Sequence, residues 1–338
     1  MEKVRVGVIG AGRISAGSHL PCLTKFADVE LVLCEVDEAR LRLVADRFGI
    51  RETRSDYRDM LARDRLDAVF VLTPPAATYG VSKDCLAAGV STLMEKPPGM
   101  TTDETRDLLR TAESSGAKGM VAVNRRFQPM LNQARKMVEA DGQIAVIVAE
   151  FYHYSLALYR SLGSPAESLG KVITPGAIHT IDLVRYLGGD VASVNAYADP
   201  YFDQHNDSFT ALIRFQGGAT ALLNYNLTSP VRIEKVSFHG RQASAFLVGL
   251  AESCVVHQGD LTYDLKNVQR LDPSSPEWSD RPYNAYINGW WHQARFFIDC
   301  IKEGREPAFP ASNLADAVKT MELIDMIGGQ FQGRVGSA

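Results

Sequence analysis

The sequence predicts an α/β protein in which a doubly wound parallel sheet is followed by an α+β domain built on a mainly antiparallel sheet. Three observations predict it. Short, uniformly apolar runs alternate with helical stretches through the first third of the chain, the pattern of a parallel sheet covered on both faces. The first of those runs ends in the glycine pair of Gly10-Ala11-Gly12. From residue 191 onward, strand-like runs follow one another with no helix between them, as in an antiparallel sheet.

The elements follow in order. Residues 4–9 are a β-branched run that stops at glycine, and 31–34 form the next strand. A helix over 37–48 is closed by Gly49. The strand over 67–72 is stopped by Thr73-Pro74-Pro75, and a helix over 78–88 ends at Gly89. A strand at 90–94, a helix over 102–115 and a strand at 119–123 complete the first part. The pattern changes after 124, which divides the chain into residues 1–124 and 125–338. A helix over 128–139 and a strand at 145–151 open the second part. Strands at 191–198, 208–215, 219–226, 232–239, 243–249 and 253–257 follow, with hairpin turns at Gly217-Gly218 and Gly240-Arg241. Helices over 287–303 and 312–328 end it.

Composition narrows the function classes. At 338 residues the chain is long for one core, and its 46% hydrophobic and 22% charged content is that of a globular protein. A net charge of −4 without a Lys/Arg block gives no electrostatic case for nucleic acid or an anionic membrane. No apolar run reaches a membrane span. The start runs directly into a strand, leaving no room for a signal peptide. The five cysteines form no Cys-x-x-Cys pair, which points to a reducing cytoplasm. The seven histidines form no His-x-x-x-His pair, so no metal is expected.

The chemistry gathers at strand ends. Gly10 and Gly12 permit a tight turn and a close approach of backbone to a pyrophosphate at a helix N-terminus. Ser15 stands where the usual fingerprint has its third glycine, and Arg13 and Ile14 lie between, Arg13 near the adenosine. Glu35 ends the second strand at the right distance to accept from the adenosine ribose hydroxyls. A carboxylate there repels a 2′-phosphate, so NAD is expected over NADP. Thr73 and Pro74 would wall the same crevice. Glu95-Lys96-Pro97-Pro98 puts a lysine at the carboxyl end of a strand, facing that crevice. Asn124, Arg125 and Arg126 lie at the domain junction, within reach of nicotinamide or substrate.

These stretches together resemble the Gfo/Idh/MocA family (glucose–fructose oxidoreductase, inositol dehydrogenase, rhizopine catabolism). The matching residues are Gly10-Ala11-Gly12-Arg13-Ile14, Glu35-Val36-Asp37, Thr73-Pro74-Pro75, Glu95-Lys96-Pro97, Asn124-Arg125-Arg126-Phe127 and His179-Thr180-Ile181-Asp182. The resemblance implies an N-terminal Rossmann domain and a C-terminal domain with a large open sheet, often an oligomer interface, and hence a homodimer or homotetramer. It implies hydride transfer between NAD(P) and a sugar, cyclitol or related polyol bound between the domains. Lys96 would contact the reacting oxygen and help position the nicotinamide ribose, with Glu95 beside it. His179 would be the general acid/base. Asp182, three residues on, would share a helical face with His179 and either orient the imidazole or support the helix.

The family commonly carries an aspartate four residues before the histidine; here that position is Pro175. Tyr152 and Tyr154, alternating on one strand face, are candidates to replace it. Thr78 stands where many members have histidine. The polar segment 155–174, with Arg160 and Lys171, is read as a loop over the pocket. Trp290 and Trp291 are candidates to stack on a sugar ring, although tryptophans at the start of a helix are more often core. Two other functions stay open: an NAD-cycling glycosidase of the same family, and a non-catalytic NAD-binding regulator.

Overall fold

The computed structural model describes residues 3–153, 177–199, 208–249, 253–265 and 286–330. They fall into two units, Met1–Gln128 with Arg270–Val318 and Pro129–Gln269 with Lys319–Ala338. The chain leaves the first unit after Gln128 and returns to it over 270–318.

The first unit is a sheet of β1 (Val4–Ile9), β2 (Val29–Cys34), β3 (Glu52–Arg54), β4 (Ala68–Val71), β5 (Ser91–Met94) and β6 (Gly119–Val121), with a two-residue strand, Ser312–Asn313, at its edge. The strand order is Ser312–Asn313, β6, β5, β4, β1, β2, β3. Pairing is parallel throughout except at Ser312–Asn313, which runs antiparallel to β6. Both faces are covered. Along β4, Ala68 and Phe70 pack with Val6, Val8 and Leu93, whereas Val69 and Val71 pack on the other face with Val32, Met94 and Leu108. That double burial is why these strands read as continuous apolar runs.

Between the strands run α1 (Leu20–Leu23), α2 (Glu38–Phe48), α3 (Tyr57–Arg63), α4 (Pro75–Ala87) and α5 (Thr102–Ser115). Their ends are set locally. Asp37 caps α2 by accepting from the Arg40 amide at 3.0 Å, and Gly49 terminates it. Thr101 caps α5 through the Glu104 amide at 3.1 Å, and Glu104 reaches back to the Met100 amide at 2.6 Å. Pro75 occupies the first turn of α4, so this helix starts three residues earlier than expected.

The second unit contains α6 (Pro129–Glu139), β7 (Val146–Tyr152), α7 (Ile178–Gly188), β8 (Val191–Asp199), β9 (Ser208–Phe215), β10 (Thr220–Asn226), β11 (Ile233–His239), β12 (Ala243–Val248), β13 (Ser253–Gln258) and β14 (Leu261–Leu265). The sheet order is β14, β13, β12, β11, β7, β10, β9, β8. Its pairs are antiparallel except β7 with β10, which run parallel with Val148 opposite Leu222. One face buries Ile147, Ala149 and Phe151 against Leu131 of α6 and Ile178 and Ile181 of α7. The other face carries the exposed Leu212, Leu222, Phe246 and Val248.

Two late helices follow, α8 (Trp290–Lys302) and α9 (Leu314–Gly328). In the first unit, Phe297 of α8 meets Phe70 edge to face at 5.7 Å, and Trp291 meets Phe26 at 4.8 Å. The two tryptophans pack against this core, as expected. Among the described residues no helix is long and apolar enough to cross a membrane, and no cluster of metal-ligating side chains occurs.

Candidate functional site

The cofactor end is built by the turn after β1. Gly10 has φ +102°, and a Cβ there would lie 2.5 Å from the Leu72 carbonyl oxygen, so both conformation and space demand glycine. At Gly12 a Cβ would meet nothing within 4 Å, which leaves the backbone open to a ligand. Glu35, buried at the end of β2, holds this turn from the side. Its Oε2 accepts from the Ala11 amide at 2.9 Å and its Oε1 from the Asp37 amide at 3.1 Å. Arg40 Nη1 lies 3.7 Å from Oε2 of this carboxylate. Val36, next in line, is 80% exposed and offers an apolar surface beside it. An NAD dinucleotide fits this donor and acceptor set: an open glycine backbone for its phosphates and a buried carboxylate at the ribose end.

The chain after Gly12 does not enter an ordinary α-helix. Residues Ser15–His19 form a π-helical segment that runs into α1. It ends on His19, which is 1% exposed and bonds through Nε2 to Glu95 Oε1 at 3.0 Å. The other Glu95 oxygen accepts from the Lys96 amide at 3.2 Å, and the Glu95 amide donates to the Val71 carbonyl at 2.9 Å. His19 was not among the residues singled out from sequence.

Lys96 follows β5, partly buried, on a cis peptide to Pro97. Burial holds its ammonium below the usual lysine range. The positive charge of Arg125 adds to that effect, and the negative charge of Glu95 opposes it. Next to β4, Thr73 and Pro74 lead into α4, where Thr78 donates to both their carbonyls at 3.2 Å. Thr78 is therefore a buried residue at the start of α4 that closes the Thr73-Pro74 turn.

Asn124 and Arg125 lie in a 3-10 turn, Asn124–Phe127, whose side chains are buried. Asn124 donates through Nδ2 to the Asn288 carbonyl at 2.7 Å. With its amide oxygen facing them, the buried Gln293 of α8 accepts from the Val123 and Asn124 amides at 3.1 and 3.2 Å. Gly289, at φ +88°, comes so close that a Cβ would lie 2.3 Å from the Asn124 oxygen. Arg126 is committed to an ion pair with Asp316 at 2.7 Å. Asn124 is thus supported by α8 and the two residues before it, a segment far away in sequence.

In the second unit, His179 sits in the first turn of α7, partly buried between the core residues Ile178 and Thr180. Asp182 is 2% exposed, and its Oδ1 accepts from Thr320 Oγ1 at 3.0 Å. Thr320 in turn accepts from Arg185 Nε at 2.9 Å. This network ties α7 to α9. Tyr152 donates to Glu150 at 3.2 Å on the sheet face opposite Phe151, and burial followed by the Glu150 charge raises its pKa. Tyr154, Pro175 and the segment 155–174 with Arg160 and Lys171 lie outside the described residues.

Similarity to known proteins converges with this geometry. The model of the GFO_IDH_MocA family, described as an oxidoreductase family with an NAD-binding Rossmann fold, matches residues 4–123. The model of the GFO/IDH/MocA C-terminal domain matches residues 131–246. The chain is 26% identical over 323 residues to scyllo-inositol 2-dehydrogenase (NAD(+)) of Bacillus subtilis (strain 168), covering 90% of this chain and 88% of that protein. It is 28% identical over 275 residues to D-glucoside 3-dehydrogenase of Escherichia coli (strain K12), covering 72% and 77%. Among solved structures, levoglucosan dehydrogenase in complex with NADH and levoglucosan superposes with a TM-score of 0.78 at 21% identity, over 97% of each chain.

Proposed function

The chain belongs to the Gfo/Idh/MocA family of NAD-binding oxidoreductases, and from that premise we propose that it is an NAD-dependent dehydrogenase or reductase of a sugar, cyclitol or related polyol. The observation that carries this reading is Lys96. It is a partly buried ammonium at the carboxyl end of β5, in the same unit as the open glycine turn and the Glu35 carboxylate.

When bound, NAD supplies the acceptor or donor of the hydride. The Gly10–Gly12 turn receives its pyrophosphate. Glu35 accepts from the adenosine ribose hydroxyls and disfavours a 2′-phosphate by charge, with Thr73 and Pro74 walling the crevice. Lys96 donates to the substrate oxygen and stabilises the alkoxide character that develops as the C–H bond breaks. His179 takes the hydroxyl proton in oxidation and returns it in reduction. Asn124 and Arg125 bound the nicotinamide end. The substrate classes of the inositol and glucoside dehydrogenases to which the chain is similar support a polyhydroxylated substrate.

Assembly through the second unit's sheet belongs to the same reading. On its outer face Leu212, Leu222, Val148, Ser237, Phe246 and Val255 lie opposite one another across successive strands. A continuous, largely apolar row of that kind fits a self-complementary dimer interface.

The test is a panel of sugars and polyols incubated with NAD or NADP and followed by reduced-nicotinamide absorbance. Net NADH formation that depends on Lys96 and His179 supports the dehydrogenase. Glycoside cleavage without net NADH would replace it with the NAD-cycling glycosidase. NAD binding with no turnover of any panel member would favour the regulator.

A further inference from the structure

We propose that His19 is a positioning residue for Lys96, acting through Glu95 and linking the glycine turn to the lysine. The inference rests on the reading of Lys96 as the group that meets the substrate oxygen.

Glu95 lies between His19 and Lys96. Its carboxylate is 7% exposed, and a buried carboxylate must be held by donors. One oxygen takes the Lys96 amide and the other takes His19 Nε2. The carboxylate therefore lies across the start of the Lys96 residue, where its charge acts on the ammonium together with that of Arg125. Remove the imidazole, and one oxygen of Glu95 loses its donor and the carboxylate is released to turn toward the nearest cation. An ammonium drawn into an ion pair is withdrawn from substrate.

His19 has no other polar task among the described residues. Its Nδ1 is buried without a hydrogen-bond partner, and its ring rests edge-on against Phe70 at 6.0 Å. The ring is aimed by the π-helical segment Ser15–His19, which the helical residues Arg13 and Ile14 join to the glycine turn. Whatever fixes Gly10–Gly12 thus also fixes the base of the His19 side chain. Both ends of this link, and all three residues, lie in one unit.

Two readouts test the proposal, one without substrate. The first is the rate at which acetic anhydride acylates Lys96 in the folded full-length protein, read by mass spectrometry of the Lys96 peptide. The second is kcat and the KM for NAD on the best substrate of the panel. His19→Leu is expected to change the acylation rate about threefold or more and to lower kcat about tenfold or more, with the KM for NAD near that of the parent. His19→Gln, which can still donate to Glu95, is expected to restore most of both. If His19→Leu does not fold, His19→Asn, too short to reach Glu95, replaces it. Parental Lys96 reactivity and kcat in a folded His19→Leu or His19→Asn protein would overturn the proposal. So would equal losses in the Gln and Leu variants, since a packing role alone predicts them. Full activity of Lys96→Met would instead sink the proposed function, while the acylation comparison still decides the link.

Discussion

The Glu35 carboxylate accepts a hydrogen bond from the Ala11 amide at 2.9 Å, so the end of the second strand and the glycine turn are tied together. A residue proposed to read the adenosine ribose thereby also holds the loop proposed to receive the phosphates. Glu35→Ala should weaken NAD binding about tenfold and narrow the preference over NADP, measured by calorimetric titration of both nucleotides. An unchanged ratio between the two would remove Glu35 from cofactor selection.

The ammonium of Lys96 has a pH signature. Burial lowers its pKa from the ordinary lysine value of 10.5, and Arg125 lowers it further. The protonated form is the active one in the proposed mechanism, so kcat is full below the folded-state pKa and falls as pH rises through it. Arg125→Met should move this alkaline limb to higher pH, whatever it does to the plateau. A shift to lower pH in the kcat profile would contradict the charge arrangement described.

Much of the fold is legible because its signals are local. The α5 helix carries its own cap and stop in Thr101, Glu104 and Gly116, and β4 declares its double burial in Ala68-Val69-Phe70-Val71. β3 is not legible in the sequence because Glu52-Thr53-Arg54 is short and polar and is held by pairing with β2. β14 was missed because four of its five residues are exposed, leaving no alternation to read. In the site, Gly12, Glu35 and Lys96 stand out at strand ends. His19 does not, since its partner Glu95 lies 76 residues away. The same holds for α8, whose place beside Asn124 depends on contacts that no local pattern encodes.

The return of α8 to the first unit is testable at Asp28. Its carboxylate takes Arg295 at 2.8 Å and Lys302 at 2.6 Å, both from α8. Those hydrogen bonds, Arg295 first, lower its pKa from 3.8 to about 2. A depressed carboxylate contributes stability that is present above its unfolded value and lost as pH falls through the folded one. Asp28→Asn should cost about 1 kcal/mol near neutral pH, discounted for partial exposure, with the difference vanishing by about pH 2. Equal denaturant midpoints at neutral pH would contradict this anchoring.

Thr320 tests the support beneath His179. Thr320→Val leaves Asp182 and Arg185 without their shared hydroxyl, in a site where all three are buried. The expected loss is about 1–3 kcal/mol in urea unfolding. No loss would show that the network does not hold α7 to α9.

The outer sheet face makes its own prediction. Leu222→Arg with Phe246→Lys places charge in the apolar row without touching the buried face. Light scattering should then report a smaller assembly with native circular dichroism. An unchanged mass would remove this face as an interface.

Lys96→Met tests most directly whether Lys96 meets the reacting oxygen. Steady-state turnover of the best panel substrate should fall about a hundredfold or more while NAD binding, measured by titration, stays near the parental value. Full turnover by the Lys96→Met enzyme would contradict the account.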